Sequence, residues 1–237
     1  MKSAWRDSPL EVGGLTPLTT VDYPGELAAV VFLQGCPWRC GYCHNPQLVE
    51  RRTDAPLAWP RVIEFLERRR GLLDAVVFSG GEPTLHAGLG EALRQVKSLG
   101  FKTALHTAGV YPERLRRILP LLDWVGMDIK SPRACYASIT GVRGSAERAW
   151  ESIELLLESG VECEFRTTLH PDLLDAAELT ALADELGERG IGSLVLQKCV
   201  TSRCRDSALR EVRRALPDAH FLDRLGERFE HFSLRNF

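Results

Sequence analysis

The chain has 237 residues, of which 44% are hydrophobic and 26% charged. This composition is close to the globular average and excludes a disordered or collagen-like polypeptide. Lys and Arg number 30 against 32 Asp and Glu, whereas general nucleic-acid and membrane-surface binders usually carry a basic excess. The seven cysteines form an odd set, which fits poorly with a fully disulfide-paired secreted protein.

These features predict a single domain in a reducing, cytoplasmic compartment. No apolar run reaches about 18 residues, and the first ten residues lack the apolar centre of a signal peptide. We expect an N-terminal lead-in over residues 1–27, a core over about 28–200 and a C-terminal helical tail over about 201–237.

From residue 28 onward, the sequence predicts strands that alternate with helices. Six short apolar runs are typical of strands buried on both faces; they are Ala28–Leu33, Ala75–Phe78, Lys102–Thr107, Trp124–Ile129, Glu162–Thr168 and Ser193–Leu196. Between them, apolar residues recur at helical spacing within Trp59–Leu66, Leu89–Leu99, Leu115–Leu119, Trp150–Leu157 and Leu179–Leu186. The alternation implies right-handed βαβ units and a parallel sheet. Six units are too few for an eightfold barrel, so an open three-quarter barrel and a doubly wound sheet both fit.

Three cysteines, Cys36, Cys40 and Cys43, lie within eight residues directly after the first predicted strand. The carboxyl edge of a parallel sheet is where α/β proteins place their chemistry. A structural zinc site usually takes four ligands in two separated pairs, and His44 is too close to Cys43 to turn easily onto the same tetrahedron. Three thiolates on a four-iron cube would leave one iron open. The spacing therefore favours an iron–sulfur cluster over zinc or unliganded thiols.

The spacing Cys36-x3-Cys40-x2-Cys43, with Tyr42 before the third cysteine, resembles the signature of the radical S-adenosylmethionine (SAM) superfamily. The resemblance implies a [4Fe-4S] cluster whose open iron binds SAM, which an electron cleaves to methionine and a 5′-deoxyadenosyl radical. The cofactors carry this chemistry, so we expect no catalytic residue beyond them. Together with the chain length, the resemblance favours an α/β fold with a partial (β/α)6 barrel of parallel strands, open on one side.

The second predicted strand is followed by Gly80, Gly81, Glu82 and Pro83. These residues resemble the superfamily's GGEP motif, which implies that they bind the methionine amino group of SAM. The chemistry is consistent, because two glycines let the backbone approach a ligand closely and a carboxylate accepts hydrogen bonds from an ammonium.

Further SAM-site residues are expected at the ends of the later strands. Thr107, Asp128 and Lys130 stand where activases of glycyl radical enzymes carry similar Asp-Thr-Asn-Gly and Asp-Leu-Lys motifs. The resemblance implies that these three side chains line the SAM site, but His106 replaces the acid, so we do not predict the monovalent cation of those activases. Arg166 on the fifth strand could bind the SAM carboxylate or ribose; a buried structural ion pair is the alternative.

The N-terminal third resembles glycyl-radical-enzyme activases most closely, in particular those of anaerobic ribonucleoside-triphosphate reductases. The motifs are Thr20-Val-Asp-Tyr-Pro-Gly25, Gln34-Gly-Cys36 and Tyr42-Cys-His-Asn45. The resemblance implies that Tyr42, His44 and Asn45 contribute to the cofactor site. It also implies a glycyl radical enzyme as protein substrate and a low-potential electron donor such as flavodoxin or ferredoxin, with no nucleic-acid or membrane partner.

Two other functions remain open at this point. A small-molecule radical enzyme, similar to 7-carboxy-7-deazaguanine synthases, would share the short chain. A non-catalytic iron–sulfur module would bind a cluster without responding to SAM. Two later cysteines, Cys199 and Cys204, form a C-x4-C pair that we expect to be buried or idle rather than metal-bound, and the five arginines between residues 203 and 214 are expected on a solvated helix.

Overall fold

The computed structural model describes residues 10–51 and 57–237. These residues form two compact units. The first contains the described parts of Met1–Pro37, Gln47–Gly126 and Glu151–Cys163, and the second contains Trp38–Pro46, Met127–Trp150 and Glu164–Phe237.

Strands and helices alternate along most of the described chain. The strands are β1 (Val12–Thr19), β2 (Ala28–Leu33), β3 (Ala75–Gly80), β4 (Lys102–Thr107), β5 (Trp124–Asp128), β6 (Glu162–Leu169), β7 (Ser193–Lys198) and β8 (His231–Arg235). The α-helices are α1 (Trp59–Glu67), α2 (Leu89–Ser98), α3 (Pro112–Ile118), α4 (Arg133–Thr140), α5 (Ser145–Ser159), α6 (Ala176–Gly187) and α7 (Ala219–Gly226). No described helix is long and apolar enough to cross a lipid bilayer.

In the first unit, β1 is an antiparallel edge strand beside β2, while β2, β3 and β4 run parallel. Ala28 is in register with Ala75, which is in register with Lys102. Alternate residues of these strands therefore share one face and build a single core cluster; it contains Ala28, Val30, Ala75, Val77 and Ala104, together with Tyr23 and Trp124.

The lead-in before β2 covers this face of the sheet. The Tyr23 ring stacks on Trp124 with 5.2 Å between the ring centroids, and the carbonyl of Asp22 lies 2.8 Å from Nε2 of His106 on β4. The small residues Ala28, Ala75 and Ala104 leave the space that the two aromatic rings fill. The Thr20–Gly25 motif thus has a structural role in packing the sheet.

In the second unit, β6, β7 and β8 run parallel, with Arg166 in register with Val195 and Leu194 with Phe232. The strand order within each unit follows the chain, and β1 and β8 are edge strands. The predicted α/β class with a mostly parallel, open sheet is confirmed.

All six predicted strands are confirmed within two residues at either end. The prediction did not include β1, β8 or α4. The predicted C-terminal helical tail over about residues 201–237 is wrong for most of its length, since α7 is its only α-helix and β8 follows it. Leu157 was wrongly assigned to the apolar face of α5, since it is 42% exposed while Leu156 is buried. The arginines between residues 203 and 214 are exposed as expected but lie outside α-helices, in loops and 3-10 turns.

Candidate functional site

The three closely spaced cysteines follow β2, none of them is in a disulfide bond, and each is half-buried. The loop that carries the second and third is tied down on both sides: Arg39 N donates to Thr140 O at 2.7 Å, and Gly41 O accepts from Asp206 N at 2.8 Å. Burial raises the pKa of the Cys40 thiol, while the Lys130 ammonium acts in the opposite direction and favours the thiolate.

The Gly-Gly-Glu turn after β3 packs backbone against backbone on the segment that enters the cysteine motif. Gly81 N donates to Leu33 O and Glu82 N donates to Gly35 O, both at 2.9 Å. Gly80 has φ +124°, and a Cβ there would lie 2.2 Å from Leu33 O; a Cβ at Gly81 would lie 2.3 Å from Gly35 O. Only glycine fits this close approach.

Glu82 is fully buried, and its carboxylate accepts four hydrogen bonds within the first unit. Oε1 accepts from Thr84 N at 3.0 Å, Thr84 Oγ1 at 2.6 Å and Thr107 Oγ1 at 2.8 Å, and Oε2 accepts from Ala108 N at 3.0 Å. Burial raises the pKa of Glu82 despite these donors. The carboxylate therefore joins the turn after β3 to the end of β4. Thr107 is engaged twice, since its hydroxyl also accepts from Gly109 N.

A second carboxylate group lies at the end of β5, in the second unit. Asp128 Oδ1 accepts from Arg166 Nε and Oδ2 from Lys130 Nζ, each at 3.0 Å. Burial alone would lower the pKa of Lys130, but the Asp128 carboxylate together with Tyr42, Cys40 and Tyr136 outweighs it and holds that pKa well above its ordinary value. The ammonium lies 5.8 Å from the centre of the Tyr42 ring. Asp128, Lys130, Arg166 and Tyr42, predicted from three separate segments, are thus brought together.

The remaining predicted residues of the cysteine loop take different positions. His44 points its Nε2 at Cys199 Sγ, 3.4 Å away, and burial lowers the pKa of its imidazole. Tyr42 is buried, and its hydroxyl has no hydrogen-bond partner among the described residues. Asn45 is half-buried, and Pro83 begins a buried 3-10 turn.

Sequence reasoning missed Tyr136, which supports the second carboxylate group. Its hydroxyl accepts from Lys130 N at 3.2 Å, and its ring packs edge-to-face on Trp38 and Trp150. Tyr136 lies on α4, a short helix that no apolar stripe in the sequence predicted. The Ala108 amide, which binds Glu82, was missed because a backbone donor leaves no trace in the sequence.

These residues fit an iron–sulfur cluster and SAM by their chemistry. Three cysteine thiols lie on one short loop, one of them beside a lysine ammonium that favours the thiolate. The glycine turn lets a ligand approach its backbone closely, and in the second unit the Asp128 group supplies buried cations suited to a carboxylate.

The fold and this donor set define a radical SAM enzyme, and the comparisons with known proteins agree. Residues 30–186 match the Radical SAM superfamily, and the chain belongs to it. It is 33% identical over 181 residues to a Methanocaldococcus jannaschii protein assigned as a glycyl-radical enzyme activating enzyme, covering 73% of each chain. It is 34% identical over 165 residues to the pyruvate formate-lyase-activating enzyme of Clostridium pasteurianum, covering 67% of this chain and 68% of the relative.

A more distant relative and two solved structures complete the comparison. The 7-carboxy-7-deazaguanine synthase of Thermococcus kodakarensis is 27% identical, over 58% of this chain and 62% of the relative. QueE from Escherichia coli superposes with a TM-score of 0.53 and 17% identity, over 86% of this chain and 90% of that one. Streptococcus suis SuiB bound to S-adenosylmethionine superposes with a TM-score of 0.61 and 18% identity. The match covers 85% of this chain and 48% of SuiB. These two structures show the shared fold.

Membership of the superfamily establishes that the protein is a radical SAM enzyme that uses a [4Fe-4S] cluster and SAM. When bound, the cluster and SAM supply a 5′-deoxyadenosyl radical that removes a hydrogen atom from a substrate.

Proposed function

We propose that the protein activates a glycyl radical enzyme by removing a hydrogen atom from one glycine Cα of that partner. The observation that carries this proposal is the similarity to two relatives of this description, each over about two thirds or more of both chains. The N-terminal Thr20–Gly25 and Gln34–Cys36 motifs support an anaerobic ribonucleoside-triphosphate reductase as the partner.

Each predicted residue has a place in this proposal. We assign Cys36, Cys40 and Cys43 as the cluster ligands, and the backbone of Gly80 to Pro83 as the site of the SAM ammonium. Glu82 and Thr107 bind each other, so we assign them to positioning that backbone.

We also assign the cations beside Asp128 to SAM. Arg166 and Lys130 would bind the carboxylate or ribose hydroxyls of SAM, while Asp128 keeps both side chains in place. Tyr42, His44 and Asn45 would border the cofactor from the cysteine loop. A flavodoxin or ferredoxin as electron donor and a cytoplasmic location also belong to the proposal.

The chemistry is tested by anaerobic reconstitution with iron, sulfide, a strong reductant and SAM. We expect 5′-deoxyadenosine and methionine from the native chain and none from Cys40→Ala, which loses one cluster ligand. Cys163→Ser is the matched control, because it changes a half-buried thiol on β6 outside the cysteine loop. Equal product from Cys40→Ala and native protein would contradict the assignment.

The alternative function is a small-molecule radical reaction, favoured by the similarity to a 7-carboxy-7-deazaguanine synthase. The two functions differ in where the hydrogen atom comes from. Activation of a protein predicts that partner protein, and not a small molecule, stimulates SAM cleavage; the rival predicts that 7-carboxy-7-deazaguanine accumulates. A cluster that is unaffected by SAM would indicate the non-catalytic module.

A further inference from the structure

Two buried thiols follow β7 and have no part in the proposed reaction. The Sγ atoms of Cys199 and Cys204 lie 3.6 Å apart, and the two residues are 5% and 0% exposed. A disulfide bond is about 2.05 Å long, so the sulfurs need to approach by about 1.5 Å to form one.

The surroundings favour a bond between the two sulfurs over a metal site. Cys199 Sγ contacts His44 Nε2 at 3.4 Å, but the pair belongs to no group of three His, Cys, Asp or Glu side chains among the described residues that could hold a metal ion. Tyr42, Ile139, Leu173 and Leu209 pack against the pair, and the charged or ionisable groups that act on Cys204 are Arg210, Asp206 and Cys43. Within this largely apolar cluster, the two thiols at 3.6 Å have each other as a soft partner.

We propose that Cys199 and Cys204 form a reversible disulfide and constitute a thiol–disulfide exchange site whose substrate is the disulfide of a small thiol. The thiolate of one cysteine attacks the external disulfide, forms a mixed disulfide and releases one external thiolate. The second cysteine thiolate then attacks the mixed disulfide, forms the Cys199–Cys204 bond and releases the second external thiolate. The two protein thiol protons pass to the released thiolates, so the pair loses two electrons and the external disulfide gains two.

Access to the buried pair is through the turn that separates the two cysteines. Thr201–Arg203 is a single 3-10 turn, Ser202 and Arg203 are exposed, and Val200 is 40% exposed. Such short turns open locally at low cost. Burial raises the pKa of Cys199 to about 12, so exchange is slow while the turn is closed.

The disulfide would reach the cysteine loop through the backbone after Cys204. Asp206 N donates to Gly41 O at 2.8 Å, and Arg205 Nη1 donates to Arg39 O at 3.2 Å. A covalent link from the end of β7 to Cys204 fixes the start of this segment, so oxidation is expected to slow hydrogen exchange at the Asp206 amide.

The test uses cluster-loaded protein, in which the three cluster thiols are protected. This protein is incubated anaerobically with glutathione disulfide and is then alkylated, denatured and digested with trypsin. Trypsin cleaves after Lys198, Arg203 and Arg205, which places Cys199 and Cys204 in separate peptides. We expect these peptides to be joined, with a total mass lower by about two hydrogens than the two reduced peptides. Cys199→Ser and Cys204→Ser should each abolish the joined species, while Cys135→Ser should retain it.

Two results would overturn the proposal. The first is alkylation of both thiols as readily after oxidation as before it. The second is a joined peptide that links Cys204 to Cys43 instead of Cys199. An unchanged exchange rate at the Asp206 amide in protein whose Cys199–Cys204 bond has formed would contradict the expected effect of the disulfide on the cysteine loop.

Discussion

Two carboxylates at the ends of strands, Glu82 after β3 and Asp128 at the end of β5, are held in opposite ways. Glu82 is fully buried and accepts hydrogen bonds from four neutral donors. Two of the four come from the end of β4, namely the Thr107 hydroxyl and the Ala108 amide. The Asp128 side chain is 31% exposed and is bound by two cationic side chains, Lys130 and Arg166. Glu82 therefore fixes backbone, whereas Asp128 fixes two cations at a partly open position.

This difference separates positioning from ligand recognition. A buried carboxylate that four protein donors surround has little capacity left for a ligand ammonium. A pair of cations held by a partly exposed carboxylate can still receive an anionic ligand group. The resemblance to the GGEP motif assigned the SAM ammonium to all of Gly80, Gly81, Glu82 and Pro83, and the four donors to Glu82 favour the backbone of this turn as the ammonium site.

Removal of Asp128 should give the largest change in stability. Asp128→Ala leaves Lys130 and Arg166 buried without their shared carboxylate, and an uncompensated buried charge costs about 3 kcal/mol. Urea unfolding monitored by circular dichroism measures the change. Glu64→Ala, which removes a solvent-exposed partner of Arg61 and Arg68 on α1, is the control and should leave the midpoint unchanged. Equal midpoints for the two variants would show that the Asp128 group is only a surface ion pair.

A methyl group at Gly81 should disturb the cysteine loop itself. Gly81→Ala places Cβ against the backbone of Gly35 and Leu48, and we expect a loss of about 2 kcal/mol together with at least about tenfold slower SAM cleavage, since misplacement of about 1 Å can cost 100-fold in rate. Gly187→Ala on α6 meets nothing within 4 Å and should be neutral or slightly stabilising. Native rates in Gly81→Ala would show that the turn tolerates displacement.

Replacement of Glu82 tests the role of the carboxylate that is bound by neutral donors. Glu82→Gln keeps the shape but turns an NH2 group toward one or more of the four donors, so at least one buried donor loses its acceptor, at about 1–3 kcal/mol. We expect a lower unfolding midpoint with cluster content per folded molecule unchanged. A midpoint equal to that of the native protein would show that the four donors find other acceptors.

The sign of the change in stability with pH is a second test of Glu82. The pKa of Glu82 is raised above 4.5 by burial, so between pH 4.5 and the folded-state pKa the native state binds more protons than the unfolded state. Stability should therefore fall as the pH rises through this window, by at most about 1.4 kcal/mol per pH unit. The difference in unfolding free energy between native protein and Glu82→Gln should show this slope. A difference that rises with pH would mean that the pKa of Glu82 is lowered.

Much of the fold could be predicted because its central strands are continuous apolar runs. Runs such as Ala28–Leu33 are buried on both faces and need no tertiary information. The edge strands were missed for physical reasons: β1 carries two glycines and a proline, and β8 is short and half-exposed, so both depend on pairing with a neighbour.

The candidate site also contains some residues that could be predicted from the sequence and some that could not. The cysteine spacing and the Gly-Gly-Glu turn were readable because they are contiguous motifs. The four donors to Glu82 come from the turn itself and from the end of β4, and Tyr136 comes from a helix without a pattern, so only the folded chain reveals them. The grouping of Asp128, Lys130 and Arg166 was partly predictable. The sequence analysis placed Asp128 and Lys130 at the end of one predicted strand and Arg166 within the next.

Electron paramagnetic resonance of a mixture with the anaerobic ribonucleotide reductase from the same organism tests the central claim most directly. With SAM and a reductant, the account predicts a glycyl radical on the partner, formed in step with 5′-deoxyadenosine. The signal should be absent with Cys40→Ala and absent when the partner's radical-bearing glycine is replaced by alanine. Steady formation of 5′-deoxyadenosine without a partner radical, in the presence of a folded and competent partner, would contradict the account.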